Sequence, residues 1–153
     1  MGVLYDYFRA AGDDAVRRRL DERDGGSPVP RGFPGADLKG IDPTIALGKL
    51  VGFATGREWA PGLVGEQLIW PAGAQHNLDH EGPWVTRLDD AARDALAAIP
   101  AEQAPELAGR WARIEEFYGG VDAEDLREVL ARVVALAAEA RAHGESLYVW
   151  CAL

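Results

Sequence analysis

Cysteine is almost absent from this chain of 153 residues, in which Cys151 is the only one. One thiol cannot form an intramolecular disulfide, and the lack of a disulfide framework is typical of proteins from a reducing compartment. We therefore expect a cytoplasmic protein. Cys151 lies in the apolar segment LYVWCAL, where no His, Lys or Arg is present to stabilise a thiolate. The sequence thus predicts a buried, unreactive thiol.

Positive charge is also scarce. Lys and Arg total 16 against 25 Asp and Glu, so the formal net charge is -9 and the pI is near 4.8. A field of this sign repels phosphate, which argues against nucleic acid and anionic membranes as partners and suits a basic protein surface. No apolar run approaches the roughly 20 residues of a membrane-spanning helix. The start MGVLYDYFRA has no basic region followed by a long apolar stretch, so we expect neither a signal peptide nor a membrane partner.

The usual motifs of catalysis and cofactor binding are missing as well. Ser27 and Ser146, the only serines, stand outside any Gly-x-Ser-x-Gly pattern, which would place a nucleophilic serine on a sharp turn. No glycines form GxGxxG or GxxxxGK[ST], the patterns that cradle phosphates. Glu115 and Glu116 are adjacent, and adjacent helical residues point in different directions. We therefore assign no catalytic residue and no cofactor from the sequence, and lean against an enzyme.

Histidine occurs three times, and two of these residues, His76 and His80, lie in the segment AQHNLDHEGPW. A His pair four residues apart binds zinc when a helix places both rings on one face and a third ligand is near. Here Pro and Gly on both sides leave room for barely two helical turns. Asp79, between the histidines, is as typical of a turn as of a metal ligand. We interpret the segment as a polar loop and predict no metal site.

What the sequence does contain is the hydrophobic patterning of a single α+β domain over residues 1–153. Residues 3–8 are apolar on both alternating faces, as in a strand that is covered on two sides. The β-branched and aromatic ending SLYVWCAL predicts a second strand in the sheet centre, beside the first. The segment LVGEQLIWP predicts one or two further short strands. With about five helices, the predicted fold is a small mixed sheet that includes both terminal strands.

The region around the second helix carries clear boundary signals. Residues 25–43 are rich in Pro and Gly and predict a long irregular loop, a kind of connection that is often functional. Asp42 suits the start of the helix that follows, with the first helical position at the next residue, and Gly56 suits its left-handed end. The intervening residues carry one charge, so this helix is expected to be nearly buried. Gly48 and Gly52 would let a neighbouring element approach it closely.

Three more helices are expected in the second half of the chain. Thr86, with Asp89 three residues later, predicts a helix start of the capping-box type. Residues 107–118 place apolar side chains at steps of four, three and four, which predicts one amphipathic helix. Asp122 predicts the cap of the longest helix, which should end at Gly144.

Five tryptophans are a large number for a chain of this length. Trp111 and Trp150 fall within periodic apolar patterns, which predicts structural roles in the core. Trp59, Trp70 and Trp84 instead flank loops beside Pro and Gly. Rigid, amphipathic aromatic residues in loops suit a binding surface, although they equally serve to pack loops onto the core. A binding surface would therefore be sought at these three residues and along the Pro- and Gly-rich loop.

Four segments, spread over nearly the whole chain, follow an order that is informative when taken together. They are the MGxxxxYF start, the helix ending in KLVGFATG, the stretch GPWVTRLDDAARDALAAI and the ending DAEDLREVLARVVALAAEARAHGESLYVW. This order resembles a bacterial family of unknown function, the YfbM-like family, although Phe53 and Ala54 replace more usual leucines. The resemblance implies an α+β fold with the two termini paired in a sheet. It carries over no catalytic residue.

Two functions of different classes remain open. The first is a small cytoplasmic binding or protein-interaction module without catalytic activity, which binds a basic protein partner in the manner of an immunity protein. The alternative is a small-molecule-binding protein or a hydrolase-type enzyme. Its pocket would be lined by Trp59, Trp70 and Trp84, with Asp79 or His76 as the acid–base group. The alternative predicts a pocket that holds a group of shifted pKa, whereas the first predicts a flat exposed patch.

Overall fold

The computed structural model describes residues 2–76 and 79–153, which form a five-stranded antiparallel sheet with helices on both faces. The strands are β1 (Leu4–Ala10), β2 (Gly35–Asp37), β3 (Glu66–Trp70), β4 (Trp84–Leu88) and β5 (Ser146–Ala152). The α-helices are α1 (Asp13–Glu22), α2 (Ala46–Thr55), α3 (Asp90–Ala97), α4 (Ala104–Trp111) and α5 (Ala123–Ala142). The predicted α+β class is confirmed. Within these residues, no helix is both long enough and apolar enough to cross a bilayer.

The strand order is β2-β1-β5-β4-β3, so the two terminal strands lie side by side with β5 in the centre, as predicted. Every pairing is antiparallel, and the expectation of a mixed sheet was wrong. The connection from β1 to β2 shows the reason. The chain leaves β1 through α1 and reaches Gly25, whose carbonyl accepts a hydrogen bond from Trp150. Residues 26–34 then bring the chain back to the end of β1, where the backbone N–H of Arg9 donates to the carbonyl oxygen of Pro34. The strand β2 therefore runs opposite to β1.

The larger core lies between the sheet and helices α2 to α5. Trp111 is fully buried there, and its indole Nε1 donates to the carbonyl oxygen of Ala46 at 2.8 Å. On the other face, α1 and residues 27–33 enclose a smaller core, in which Phe8 stacks on Phe33 and Tyr148 with ring centroids 5.4 Å apart in each pair. The strand β1 is therefore covered on both sides, as its sequence predicted. Trp150 is half-buried against this smaller core.

The turn before α2 explains where that helix begins. The Asp42 carboxylate accepts hydrogen bonds from the backbone N–H groups of Ile45, at 2.7 Å, and Ala46, at 3.1 Å. The helix starts at Ala46, later than predicted, because the capped residues form a separate turn first. Gly56 ends it in the left-handed region with φ 69°, as predicted. The expected close approach occurs at Gly48, where a Cβ would lie 2.7 Å from the indole nitrogen of Trp59.

Two further predicted helix boundaries were wrong. Thr86 lies within β4, and Asp89 caps α3 instead by accepting from the N–H of Ala92 at 3.0 Å. The helix predicted over residues 107–118 ends at Trp111, and a 3₁₀ turn over Glu115–Phe117 follows. This turn buries Phe117 in the core and leaves the next residue, Tyr118, 94% exposed. A side chain that fits a helical stripe in sequence was thus displaced from the core by its neighbour.

The Pro- and Gly-rich segment 25–43 is not wholly irregular, because it contains the edge strand β2.

The helix caps in the last third of the chain agree with prediction. Asp122 caps α5 by accepting from the N–H of Glu124 at 2.7 Å. Gly144 follows the helix with φ 66°. The start and the end of α5 were therefore predicted correctly from short-range signals.

Candidate functional site

Trp59 packs against α2 and holds the loop that follows this helix. Its indole lies over Gly48, and its Nε1 donates to the carbonyl oxygen of Thr44 at 3.0 Å. The ammonium group of Lys49 stands 5.9 Å from the ring centroid, within the range of a cation–π contact. The sequence allowed Trp59 either to form a binding surface or to pack a loop onto the core. These contacts correspond to the second role.

Trp70 lies on the opposite face of the sheet. Its Nε1 donates to the Asp21 carboxylate of α1 at 3.0 Å, and its ring packs closely over Gly25, where a Cβ would lie 2.8 Å from the nearest ring carbon. Because α1 and α2 cover opposite faces, Trp59 and Trp70 do not line a common pocket.

Trp84, the first residue of β4, occupies a third position. It lies directly beside Cys151 of β5, and its ring packs on Gly82. The His80 ring meets it edge-on with a centroid distance of 5.5 Å, and His80 Nε2 lies 3.0 Å from the carbonyl oxygen of Pro83. His80 therefore takes part in positioning the tryptophan.

The remaining predicted residues, His76 and Asp79, are both exposed. His76 ends the short 3₁₀ turn Ala74–His76. The predicted polar loop also includes residues 77–78, which lie outside the described residues. Within residues 2–76 and 79–153, no three His, Cys, Asp or Glu side chains are grouped so that they could hold a metal ion.

A cavity of about 270 Å³ opens beside Trp84 on the sheet face that α2 covers in part. We call it the acidic pocket, and the side chains that define it are Tyr5, Asp42, Glu66, Trp84, Thr86 and Cys151. Tyr5, Cys151 and Trp84 are direct cross-strand neighbours on β1, β5 and β4. Directly opposed residues share one side of a sheet, so register alone brings these three side chains together.

The two carboxylates of the acidic pocket are held by neutral donors. Glu66 accepts hydrogen bonds from the hydroxyl groups of Thr44 and of Thr86, the latter at 2.8 Å. Asp42 accepts from the two backbone N–H groups at the start of α2. Among the described parts of the chain, neither carboxylate forms an ion pair. The pocket thus carries two carboxylates that form no ion pair with any cation of residues 2–76 and 79–153.

The neutral groups of the pocket are kept neutral by their surroundings. Burial raises the pKa of Tyr5 to about 12, and repulsion from the thiolate form of Cys151 and from the Asp42 and Glu66 carboxylates acts in the same direction. Burial also raises the pKa of the half-buried Cys151 thiol, with Glu66 adding to the effect. A thiol is nucleophilic as its thiolate, so this environment works against covalent chemistry at Cys151. The pocket instead offers hydrogen bonds, aromatic faces and negative charge.

A second polar cluster lies on the other face, where α1 meets the sheet. The Asp13 carboxylate accepts hydrogen bonds from the Arg87 guanidinium and from the hydroxyl of Tyr148 at 2.8 Å, and Arg17 stands 3.9 Å away. Arg87 also donates to the side-chain oxygen of Gln67 at 2.6 Å. Burial raises the pKa of Asp13, but the hydrogen bonds and the arginine charges outweigh it and lower the pKa overall. This cluster is internally satisfied and anchors α1.

The sequence predicted one member of the acidic pocket, Trp84, as a site residue. Asp42 was predicted as a helix cap, a role that it has, and Cys151 as a buried thiol. Tyr5 and Glu66 were not singled out, because only the register between strands distant in sequence brings them to this pocket. The available signal was alternation: Tyr5 and Cys151 occupy alternate positions of two strands that were expected to pair.

Comparisons with protein-family models, with curated proteins and with solved structures give no match for this chain. The fold therefore defines the class to which the protein is assigned here, an α+β domain built on a five-stranded antiparallel sheet. The resemblance to the YfbM-like family stays a prediction.

Proposed function

We propose that this protein is a binding module that recognises a basic protein partner, and that the acidic pocket receives a Lys or Arg side chain of that partner. One observation carries the proposal: two carboxylates, Glu66 and Asp42, stand beside aromatic side chains without a cation among the described residues. Carboxylates combined with aromatic faces suit an ammonium or guanidinium group, through charge-assisted hydrogen bonds and cation–π contact.

The charge of the whole chain supports the same class of partner. A formal net charge of -9 attracts a basic surface over a longer range than the pocket itself and accelerates the encounter. The same charge makes nucleic acid an unfavourable partner. We also place the protein in the cytoplasm, in keeping with its single thiol. An immunity-like role, in which an acidic module blocks a basic protein, fits these properties.

The size of the pocket favours a side chain over a free ligand. At about 270 Å³ it falls slightly below the roughly 300–1,000 Å³ that is usual for small-molecule sites. The small-molecule alternative keeps one supporting observation. It predicted a pocket with groups of shifted pKa, such as Tyr5 and Cys151 beside Trp84, whereas a flat exposed patch was expected of a binding module. The hydrolase version of that alternative is weakened because Trp59 and Trp70 pack on opposite faces of the sheet and do not form the common pocket that it requires.

The test uses a small cationic probe, N-acetyl-arginine amide, titrated into ¹⁵N-labelled protein and followed by two-dimensional NMR. We expect millimolar binding, about -4 kcal/mol at a Kd of 1 mM, with shifts at Tyr5, Trp84 and Cys151. The variant Glu66→Gln keeps a side chain that can bond both threonine hydroxyls, and we expect it to weaken binding at least several-fold. Glu102→Gln, an exposed change elsewhere in the chain, removes the same charge and serves as the control.

A second probe separates charge from shape. N-acetyl-citrulline amide has nearly the form of the arginine probe without its charge, and we expect it to bind much more weakly. Equal binding of the two probes would refute charge recognition and favour a small-molecule site. Unchanged arginine binding in Glu66→Gln would also overturn the proposal, since the carboxylate would then not contribute.

A further inference from the structure

The strand β2 leaves part of its backbone facing outward at one edge of the sheet. The backbone N–H of Leu38 donates to the carbonyl oxygen of Tyr5 at 2.9 Å, and the backbone N–H of Arg9 donates to the carbonyl oxygen of Pro34 at 3.1 Å. In an antiparallel pair the hydrogen-bonded residues alternate, so Ala36 bonds to its partner on β1 while the N–H and C=O groups of Gly35 and Asp37 point away from β1. Outward groups of this kind can pair with an added strand.

A groove of about 780 Å³ runs along this edge. One wall is α5, where a single helical stripe presents Arg132, Ala135, Leu136 and Glu139 to the groove. The other wall is the segment 29–34, which contributes Val29 and two prolines. A groove between an edge strand and a helix is suited to an extended peptide that adds to the sheet.

The opposite edge of the sheet differs in this respect. There the guanidinium of Arg17 donates to the carbonyl oxygen of Ile69 in β3 at 3.1 Å, so the protein's own side chain occupies part of that edge. Edge strands are commonly protected in this way. The contrast makes β2 the better candidate for strand addition.

Two carboxylates face each other on the same side of this groove. Asp6 and Asp37 are direct cross-strand partners, and like charges at such positions are destabilising. Asp6 accepts a hydrogen bond from the Ser27 hydroxyl, and Asp37 accepts one from the N–H of Lys39. Among residues 2–76 and 79–153, neither carboxylate forms an ion pair. A basic side chain at this point of an added strand would therefore relieve a repulsion that is built into the fold.

The other charged groups of the groove lie on the side of α5. Arg9 is paired with Glu145, and Glu139 stands near His143. Arg132 stands beside the apolar side chains of the stripe. The two sides of the groove thus differ, one being acidic and the other apolar with mixed charge. An occupant with strand geometry would meet them with alternate residues.

We propose that the edge of β2 binds an extended segment of the protein partner as a sixth strand, in which basic residues alternate with apolar ones. The basic side chains face Asp6 and Asp37, and the apolar side chains face Ala135 and Leu136. The main chain of the segment bonds to Gly35 and Asp37. The inference rests on the proposed function in one respect, that the partner is a basic protein, and uses a site separate from the acidic pocket.

The probe is the blocked peptide acetyl-Thr-Lys-Val-Lys-Val-Thr-amide, and the readout is hydrogen exchange of backbone amides. We expect the peptide to slow exchange at Gly35 and Asp37 at least several-fold and to leave Ala36, already bonded to β1, unchanged. A scrambled peptide, acetyl-Thr-Lys-Lys-Val-Val-Thr-amide, has the same charge without the alternation and should bind far more weakly. Equal protection by both peptides would reduce the effect to nonspecific charge attraction and overturn the proposal.

N-methylation of the peptide tests strand addition directly. In an added strand, alternate amides point toward β2 and the others point to solvent. Methylation of one alternate set should therefore abolish binding, and methylation of the other set should leave it within about twofold of the parent. If both sets bind like the parent, or both fail equally, the peptide is not held as a strand.

Two substitutions at Asp37 separate the contribution of its backbone N–H group to peptide binding from that of its carboxylate charge. Asp37→Pro removes an outward N–H and the carboxylate, and proline is tolerated at an edge strand where its missing N–H would face solvent. We expect a loss of at least tenfold in peptide affinity, against a loss of a few-fold for Asp37→Asn. A melting temperature no lower than that of the native protein would show that the fold is kept. If Asp37→Pro fails to fold, the N-methylated peptides decide the question on the native chain.

The two sites can fail independently. Glu66→Gln should leave peptide binding at β2 unchanged, and Asp37→Pro should leave binding of N-acetyl-arginine amide unchanged. If the native protein does not bind the arginine probe but the peptide still slows hydrogen exchange at Gly35 and Asp37, only the proposal for the acidic pocket is refuted. If the arginine probe binds but the peptide does not slow exchange, only strand addition is refuted.

Discussion

Asp13 and Glu66 are both carboxylates that accept hydrogen bonds from side chains, yet they differ in what surrounds them. Asp13 is bonded by Arg87 and Tyr148, with Arg17 at 3.9 Å, and joins α1 to the sheet. Glu66, on the other face, is bonded by two threonine hydroxyls that carry no charge. The contrast separates a carboxylate whose charge is paired within the fold from one that forms no ion pair among the described residues.

The largest expected effect comes from removing each carboxylate in turn. Asp13→Ala leaves Arg87 without its charged acceptor and should cost about 2 kcal/mol of unfolding free energy. Glu66→Ala removes bonds to exposed hydroxyls and should cost less than about 0.5 kcal/mol. Urea denaturation at pH 7 measures both. Equal losses would break the comparison, because Glu66 would then have a structural role as well.

The pH dependence of the free energy of unfolding tests the structural role of Asp13. The pKa of Asp13 is lowered in the folded state, so its contribution to stability is present above the ordinary pKa, near 3.9, and is lost as the pH falls through the lower folded value. The difference in unfolding free energy between the native protein and Asp13→Asn should therefore shrink on acidification from pH 7 to pH 2. A difference that stays constant over this range would contradict the assigned ion pair.

A smaller effect than at Asp13 is expected at Asp6, the carboxylate that faces Asp37. Burial raises the pKa of Asp6 and the charge of Asp37 adds to the effect, while the hydrogen bond from Ser27 opposes both. A raised folded pKa means that the ionised group destabilises the fold at neutral pH. Asp6→Asn should therefore stabilise the protein at pH 7 by up to about 1 kcal/mol. The gain should disappear once the pH falls below the ordinary pKa.

A double-mutant cycle identifies the source of that gain. If the repulsion between Asp6 and Asp37 is responsible, Asp37→Asn should give part of the same stabilisation, and the two changes together should give less than their sum. Thermal unfolding of the two single variants and the double variant measures the coupling. Strict additivity would place the cost of Asp6 in its burial alone.

Much of the fold could be predicted because its signals are local. The carboxylates of Asp42 and Asp122 accept hydrogen bonds from backbone N–H groups at helix starts, and Gly56 ends a helix with a positive φ. Each of these roles depends on a few neighbouring residues and is therefore visible in the sequence. The pairing of β1 with β5 was predicted from a first segment that is apolar on both faces and a last segment rich in β-branched and aromatic residues. The boundary at Thr86 failed because a strand and a helix start compete for the same short segment, and long-range pairing with β5 decides between them.

The candidate site could be predicted only in part. Trp84 was identified by its place between a loop and an apolar run, but Trp59 and Trp70, found by the same criterion, pack on opposite faces of the sheet. Proximity to Pro and Gly describes the chain around a tryptophan and not the direction of its ring. Tyr5 and Glu66 lie far apart in sequence, so no short motif could have joined them.

The sequence by itself determined the acidic charge, the single thiol, the α+β class and most helix caps, since these depend on composition or on neighbours within a few residues. Only the tertiary structure decided which carboxylates are paired with arginine and which stand open beside aromatic rings. It also decided that β2 carries an outward edge. Strand register and the order of strands bring together residues from distant segments, and side-chain charges acquire their role from those neighbours.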